Sequence, residues 1–149
     1  EWVVPYSIIS FYGIINENAA KDTKLTQEDV NLLIEGIWNG TKNLISRSKV
    51  GQMPRLLIKI DYLENNYHIG DLDKLFVISS DLSEEQLRDI SDFKIDISKL
   101  VNVLVKNRDK IAMVTYIVDD RTKFILNNIE LKFEEILRNN NIQSKEFKV

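Results

Sequence analysis

The chain has 149 residues, 44% of them hydrophobic and 29% charged, with a formal net charge of -3. That length and balance fit one folded domain with a real core and exclude both a disordered chain and a generally polycationic nucleic-acid coat. With no cysteine and one histidine, His68, the sequence excludes disulfides, thiolate metal sites, cysteine nucleophiles and any histidine-rich metal centre. No apolar run approaches the roughly 18 residues of a membrane span, and no signal peptide is present, so a cytoplasmic protein with no membrane partner is expected. The chain opens on Glu1-Trp2 rather than Met, which fits a processed chain or a piece of a longer protein.

In chain order, Trp2 to Asn16 is dense in β-branched and aromatic residues and uncharged from Val3 to Ile15, the composition of a strand buried on both faces. Asn16 to Lys24 reads as a polar connection. Thr26 then starts a helix: it can cap, Asp29 stands at the capping-box position, and Glu28 and Asp29 suit the positive helix end. Val30, Leu33, Ile34, Ile37, Trp38, Leu44 and Ile45 repeat at three and four, which predicts one docking face. Gly36 and Gly40 each weaken the helix by roughly 1 kcal/mol relative to Ala, so it should end between Gly40 and Ser46.

Arg55 to Tyr62 reads as a strand. Glu64-Asn65-Asn66 is a turn, and Tyr67 to Gly70 a return strand, together a hairpin. Leu75 to Ile78 is a further short strand, and Ser83 to Asp89 a polar turn or short helix. Asp96 or Ser98 opens a second helix carrying Leu100, Val103 and Leu104, closed at Asn107. Ile111 to Val118 is another strand. Phe124 to Leu137 reads as a last amphipathic helix, and the final eight residues as a fraying tail. The order βαββαβ plus a terminal helix predicts one α+β domain, with a ferredoxin-like or RNA-recognition-motif-type antiparallel sheet and helices packed on one face.

Against the acidic background, the stretch from Gly36 to Ile60 holds no Asp or Glu, yet contains Lys42, Arg47, Lys49, Arg55 and Lys59. Its polar residues are Ser, Thr, Asn and Gln, all able to bond phosphate oxygens or sugar hydroxyls. Such a cationic island marks a site for a polyanion. Arg offers forked donors, Lys a point charge, Gly51 a close backbone approach and Met53 a wedge beside a base. The plainer explanation is a solvated helix end: Lys42 and Arg47 are favoured by the helix dipole without any ligand, whereas Lys49 and Arg55 are not covered by it.

Other constellations are thinner. Asp71 and Asp73 form an acidic pair suited to magnesium, and His68 has the chemistry of a general base, but a turn and a structural histidine account for them as well. Trp2, Tyr6, Phe11 and Tyr12 have the chemistry to stack on bases, although their density in an uncharged run points first to core. There is no nucleophile elbow, Walker loop or dinucleotide fingerprint. No catalytic set, cofactor site or metal site emerges, and a binding module is the expectation.

The runs YSIISFYGIIN, LTQEDVNLLIEGIWNGTKNLISRSKVGQMPRLLIKIDY and YHIGDLD resemble the backbone subunit of the CRISPR Cascade effector, nearest the Csh-type subunit of subtype I-B systems. The likeness is close from Trp2 to about Asp73 and looser beyond. It implies a RAMP-superfamily protein with an RNA-recognition-motif core that polymerises along a CRISPR guide RNA, contacts other Cascade subunits, and meets target DNA through the guide. It implies no enzymatic activity. Carried over by position, Lys42, Asn43, Arg47, Ser48, Lys49, Gln52, Met53 and Arg55 become the RNA-binding residues. Family members are longer, and this chain resembles their C-terminal half. The alternative, suggested by RNA-cutting relatives, is a metal-dependent ribonuclease using Asp71, Asp73 and His68.

Overall fold

The computed structural model describes residues 6–47 and 49–149. Among them the chain forms helices α1 (Glu17–Thr23), α2 (Gln27–Lys42), α3 (Ser98–Lys106) and α4 (Phe133–Asn139). Its strands are β1 (Leu56–Tyr62), β2 (Val77–Ser79), β3 (Lys94–Asp96), β4 (Ile111–Val118), β5 (Phe124–Leu126), β6 (Ile129–Leu131) and β7 (Ser144–Glu146). The α+β class is as expected and is consistent with a ferredoxin-like domain. The strands divide into two mixed sheets, β1-β4-β7 and β2-β3-β5-β6, each with one parallel pairing.

The ladder between β1 and β4 is antiparallel and pairs Leu56 with Val118, Ile58 with Tyr116 and Ile60 with Val114. These side chains turn towards the main core, where Ile97, Leu100, Leu104, Val114, Ile136 and Leu137 are almost wholly buried. Because strand side chains alternate, the intervening pairs Leu57–Ile117, Lys59–Thr115 and Asp61–Met113 point to the opposite face. There α2 lies across the sheet, and Val30, Ile34 and Trp38 pack on Ile117, Leu57 and Phe147.

Helix α2 starts where its chemistry requires. The Thr26 hydroxyl accepts from the Asp29 amide at 3.2 Å, and the Asp29 carboxylate accepts from the Thr26 amide at 2.7 Å. The helix ends at Lys42, inside the expected window. Its docking stripe is narrower than expected: Val30, Ile34 and Trp38 lie on one line of four-residue steps, while Leu33 and Ile37 are exposed. A helix on a sheet covers only the line that faces it.

Five expectations are corrected. The part of the Trp2–Asn16 strand within the described residues, Tyr6 to Asn16, is irregular, and Ile8, Ile9, Phe11, Ile14 and Ile15 are exposed. A strand needs a neighbour, and this run is held by side chains instead: Tyr6 tilts against Phe93, and the Tyr12 hydroxyl donates to the Ile69 carbonyl. Asn16 to Lys24, expected as a connection, is helix α1, capped by the Asn16 side chain and closed by Lys24 in the left-handed conformation. It buries nothing, so no apolar period announced it.

The expected β1 hairpin is also absent, because β1 pairs with the distant β4. The Tyr67–Gly70 segment is fixed by side chains: Tyr67 packs edge-on against Tyr62 and donates to Asn107 Oδ1, and the Ile69 amide donates to the Tyr62 hydroxyl. Finally, the single helix expected over Phe124–Leu137 is a tight hairpin, β5–β6, followed by α4. Asn127 (φ 50°) and Asn128 (φ 67°) supply the two left-handed residues such a turn needs. The tail does not fray, since β7 pairs in parallel with β4 and Ile142 is buried just before it.

Replacing Asn127 and Asn128 together by Val should lower thermal stability, since each non-glycine β-branched residue at positive φ costs about 1–2 kcal/mol. Asn128→Gly should be tolerated, and equal melting temperatures for the two variants would contradict the turn assignment. The Asp29 carboxyl is held below its ordinary value by the amide and hydroxyl of Thr26. Its contribution is therefore present above the unfolded value of about 3.9 and lost as pH falls through the lower folded one. Asp29→Asn should flatten the acid limb of stability measured by urea unfolding between about pH 5 and pH 2.

Candidate nucleic-acid interface

The acid-free stretch leaves α2 through Lys42 and Asn43, whose amide donates back to the Asn39 carbonyl at 2.9 Å. Ser46 and Lys49 then exchange backbone hydrogen bonds in both directions, 3.3 and 3.4 Å, closing a tight turn that carries Arg47. Gly51 follows at φ 78°, a conformation that a side-chain-bearing residue adopts only with strain. From there the chain enters β1.

This geometry sorts the eight candidate residues. Lys42, Asn43, Arg47 and Lys49 are exposed together on the helix end and the turn. Gln52, Met53 and Arg55 are half-buried on the way into β1. Ser48 lies outside the described residues. Trp38, within the acid-free stretch, is core.

Arg55 has a structural partner. Its Nη1 lies 2.5 Å from Asp119 Oδ2, with both side chains largely buried. The Arg55 carbonyl accepts from the Asp119 amide at 3.0 Å and from the Thr122 hydroxyl at 3.4 Å. This bracket ties the start of β1 to the end of β4. Asp119 also faces Arg121, whose Nε stands 3.7 Å away and whose side chain is more than half exposed. Arg121 thus stands near Arg55 through their shared partner Asp119, although 66 residues separate them. No local pattern marks it; only the β1–β4 pairing brings it there.

Lys59 leaves the group. It lies on the α2 face of β1, its ammonium paired with Asp61. Asp71 sits in a left-handed turn and pairs with exposed Lys74 at 2.8 Å. Among the described residues no three His, Asp or Glu side chains gather as a metal-holding group, so Asp71, Asp73 and His68 gain no support as a ribonuclease site. Also among the described residues, no helix is long and apolar enough to cross a membrane.

The family model for CRISPR-associated protein Cas7 matches residues 1–98. A relative described as CRISPR-associated protein Cas7, from Haloferax volcanii, is 35% identical over 133 residues. That alignment covers 89% of this chain and 39% of the relative, so the chain spans about two fifths of the length of the curated protein it matches. The matched family residues take in α1, α2, β1 and the whole cationic stretch. The chain belongs to the CRISPR-associated Cas7 family.

Proposed function

We propose that this chain is a non-catalytic part of the backbone of a CRISPR interference complex of the Cascade type and binds the phosphates of the guide RNA. The observation that carries the reading is the exposed cationic helix end and turn: Lys42, Asn43, Arg47 and Lys49 stand in a window without a carboxylate on a chain of net charge -3. Amides, hydroxyls and ammonium or guanidinium groups at that spacing suit a sugar-phosphate backbone and carry no base-reading geometry. A guide held by its backbone keeps its bases free to pair, which is how target DNA would be met. Membership in the Cas7 family supports the same reading.

Two further features fit assembly. Ile8, Ile9, Phe11, Ile14 and Ile15 expose apolar surface in one uncharged run, a surface suited to neighbouring copies or other subunits rather than to RNA phosphates. Arg121 adds an exposed guanidinium beside Asp119, and Arg55 both holds Asp119 and keeps further N–H donors. Such a protein works in the cytoplasm, where guide RNA is found.

Fluorescence anisotropy of a labelled single-stranded RNA, titrated at several salt concentrations, tests the reading. Arg47→Glu with Lys49→Glu should weaken binding and reduce the slope of log K against log salt by about 1 for each phosphate no longer neutralised, without moving the melting temperature. Arg55→Glu should instead lower stability, since it leaves Asp119 facing a like charge in a largely buried site. RNA affinity and salt slope unchanged in the Arg47 and Lys49 double variant would refute this site.

A further inference from the structure

At the far end of α2 from the basic turn, the same helix and the sheet below it leave a cleft of about 320 Å³. Gln27, Asn31, Lys59, Asp61, Thr115, Lys145 and Phe147 line it. Helix α2 has 16 residues, so the cleft lies about 20 Å from Lys42 along its axis.

The cleft floor is a row of three side chains set by strand register. Lys59 on β1 stands opposite Thr115 on β4, and Thr115 stands opposite Lys145 on β7. Neighbouring strands are about 4.8 Å apart, so the two lysines flank the threonine with Cα atoms about 10 Å from each other. Thr115 is 1% exposed, and its hydroxyl has no hydrogen-bond partner among the described residues. A buried unpaired hydroxyl is costly, whereas Val has the same shape without the cost. Lys145 is exposed and makes no ion pair among the described residues. On the roof, the Gln27 carboxamide donates to Asn31 Oδ1 at 3.2 Å, leaving the Asn31 amide nitrogen as a donor.

We propose that this cleft binds a phosphate group, held between Lys59 and Lys145, with the Thr115 hydroxyl and the Asn31 amide as further donors. Asp61 competes for Lys59 in the empty cleft, and a phosphate draws the Lys59 ammonium away from it. The cleft lining carries a net charge of +1, from Lys59, Lys145 and Asp61. Asp61 is the single carboxylate among the lining residues, and among the described residues no group of three metal-ligating side chains gathers there. Phe147 at the edge provides an apolar surface for a ring attached to the phosphate. The site is separate from the proposed RNA-binding turn, and its residues are not those of that turn.

The test is a titration of the 149-residue chain with inorganic phosphate and with 5′-AMP, followed by nuclear magnetic resonance shifts of the Thr115 and Lys145 amides. Saturable shifts are expected, with affinity roughly tenfold weaker in Lys145→Ala, as for loss of a hydrogen bond to a charged group. Thr115→Val should bind several-fold more weakly yet melt no lower than the parent chain, because it removes an unpaired hydroxyl. Asp61→Asn should bind phosphate more tightly, and Arg47→Glu should leave the affinity unchanged. Tighter binding of 5′-AMP than of inorganic phosphate would identify a nucleotide phosphate as the occupant, and equal affinity a free phosphate. The proposal is overturned by an absence of saturable shifts, by Lys145→Ala binding as well as the parent, or by Asp61→Asn losing binding while the parent chain takes up magnesium there.

Discussion

The antiparallel ladder between β1 and β4 is the constraint on which the rest of the structure depends. It joins segments about fifty residues apart and fixes, by parity alone, which side chains meet which surroundings. Leu56, Ile58 and Ile60 with Val118, Tyr116 and Val114 close the main core, and Leu57 with Ile117 forms the seat for α2. A slip of one residue would exchange the two sets, burying Lys59 and Asp61 in the main core and turning Ile58 and Ile60 out. The Arg55–Asp119 pair at one end opposes that slip, because both charges are largely buried and only this register joins them. The irregularity between Asp61 and Tyr62 ends the regular pairing at the other.

Helix α2 inherits its position from that ladder, and with it the place where charge is shown to solvent. The stripe Val30, Ile34, Trp38 is anchored on Leu57 and Ile117, so the last turn of the helix overhangs the point where the chain turns back into β1. Among the described residues of the Lys42-to-Lys49 segment none joins the core. Its composition is therefore free of packing demands, and the lack of a single carboxylate there is not something the fold requires. The capping carboxylates Glu28 and Asp29 stand at the opposite end of the helix, so the dipole and the side-chain charges run in the same sense.

Elements with a strong period, a long apolar run or a clear cap were legible from sequence: Thr26 with Asp29, the apolar runs of β1 and β4, and α3 with Leu100 and Leu104. Misreadings came where two signals competed. Phe124, Ile125, Ile129, Phe133, Ile136 and Leu137 fit a helical period, yet Asn127-Asn128 in the middle is turn chemistry, and local backbone preference prevailed. The Tyr6–Asn16 run has strand composition with nothing beside it to pair with among the described residues, so composition alone misled. At the site, the cationic window was plain in the sequence. Arg121 and the burial of Arg55 were not, because both depend on a contact between residues more than sixty apart.

Lysine and arginine within one acid-free window thus serve different ends, and the carboxylate each one meets, or does not meet, decides which. Arg55 precedes β1 and is drawn inward by Asp119; Lys59, four residues on, faces α2 and is steadied by Asp61. Arg47 and Lys49, in a turn closed only by backbone hydrogen bonds, have no carboxylate within ion-pair reach among the described residues. Arg55, held by Asp119 with both side chains largely buried, gains little from a ligand, since binding must first break that pair. A solvated charge on a short turn gives up only water and counterions, and releasing those counterions is what drives association with a polyanion. By that physics the proposed contact with a phosphate backbone rests on the turn rather than on the more numerous cations of the whole stretch.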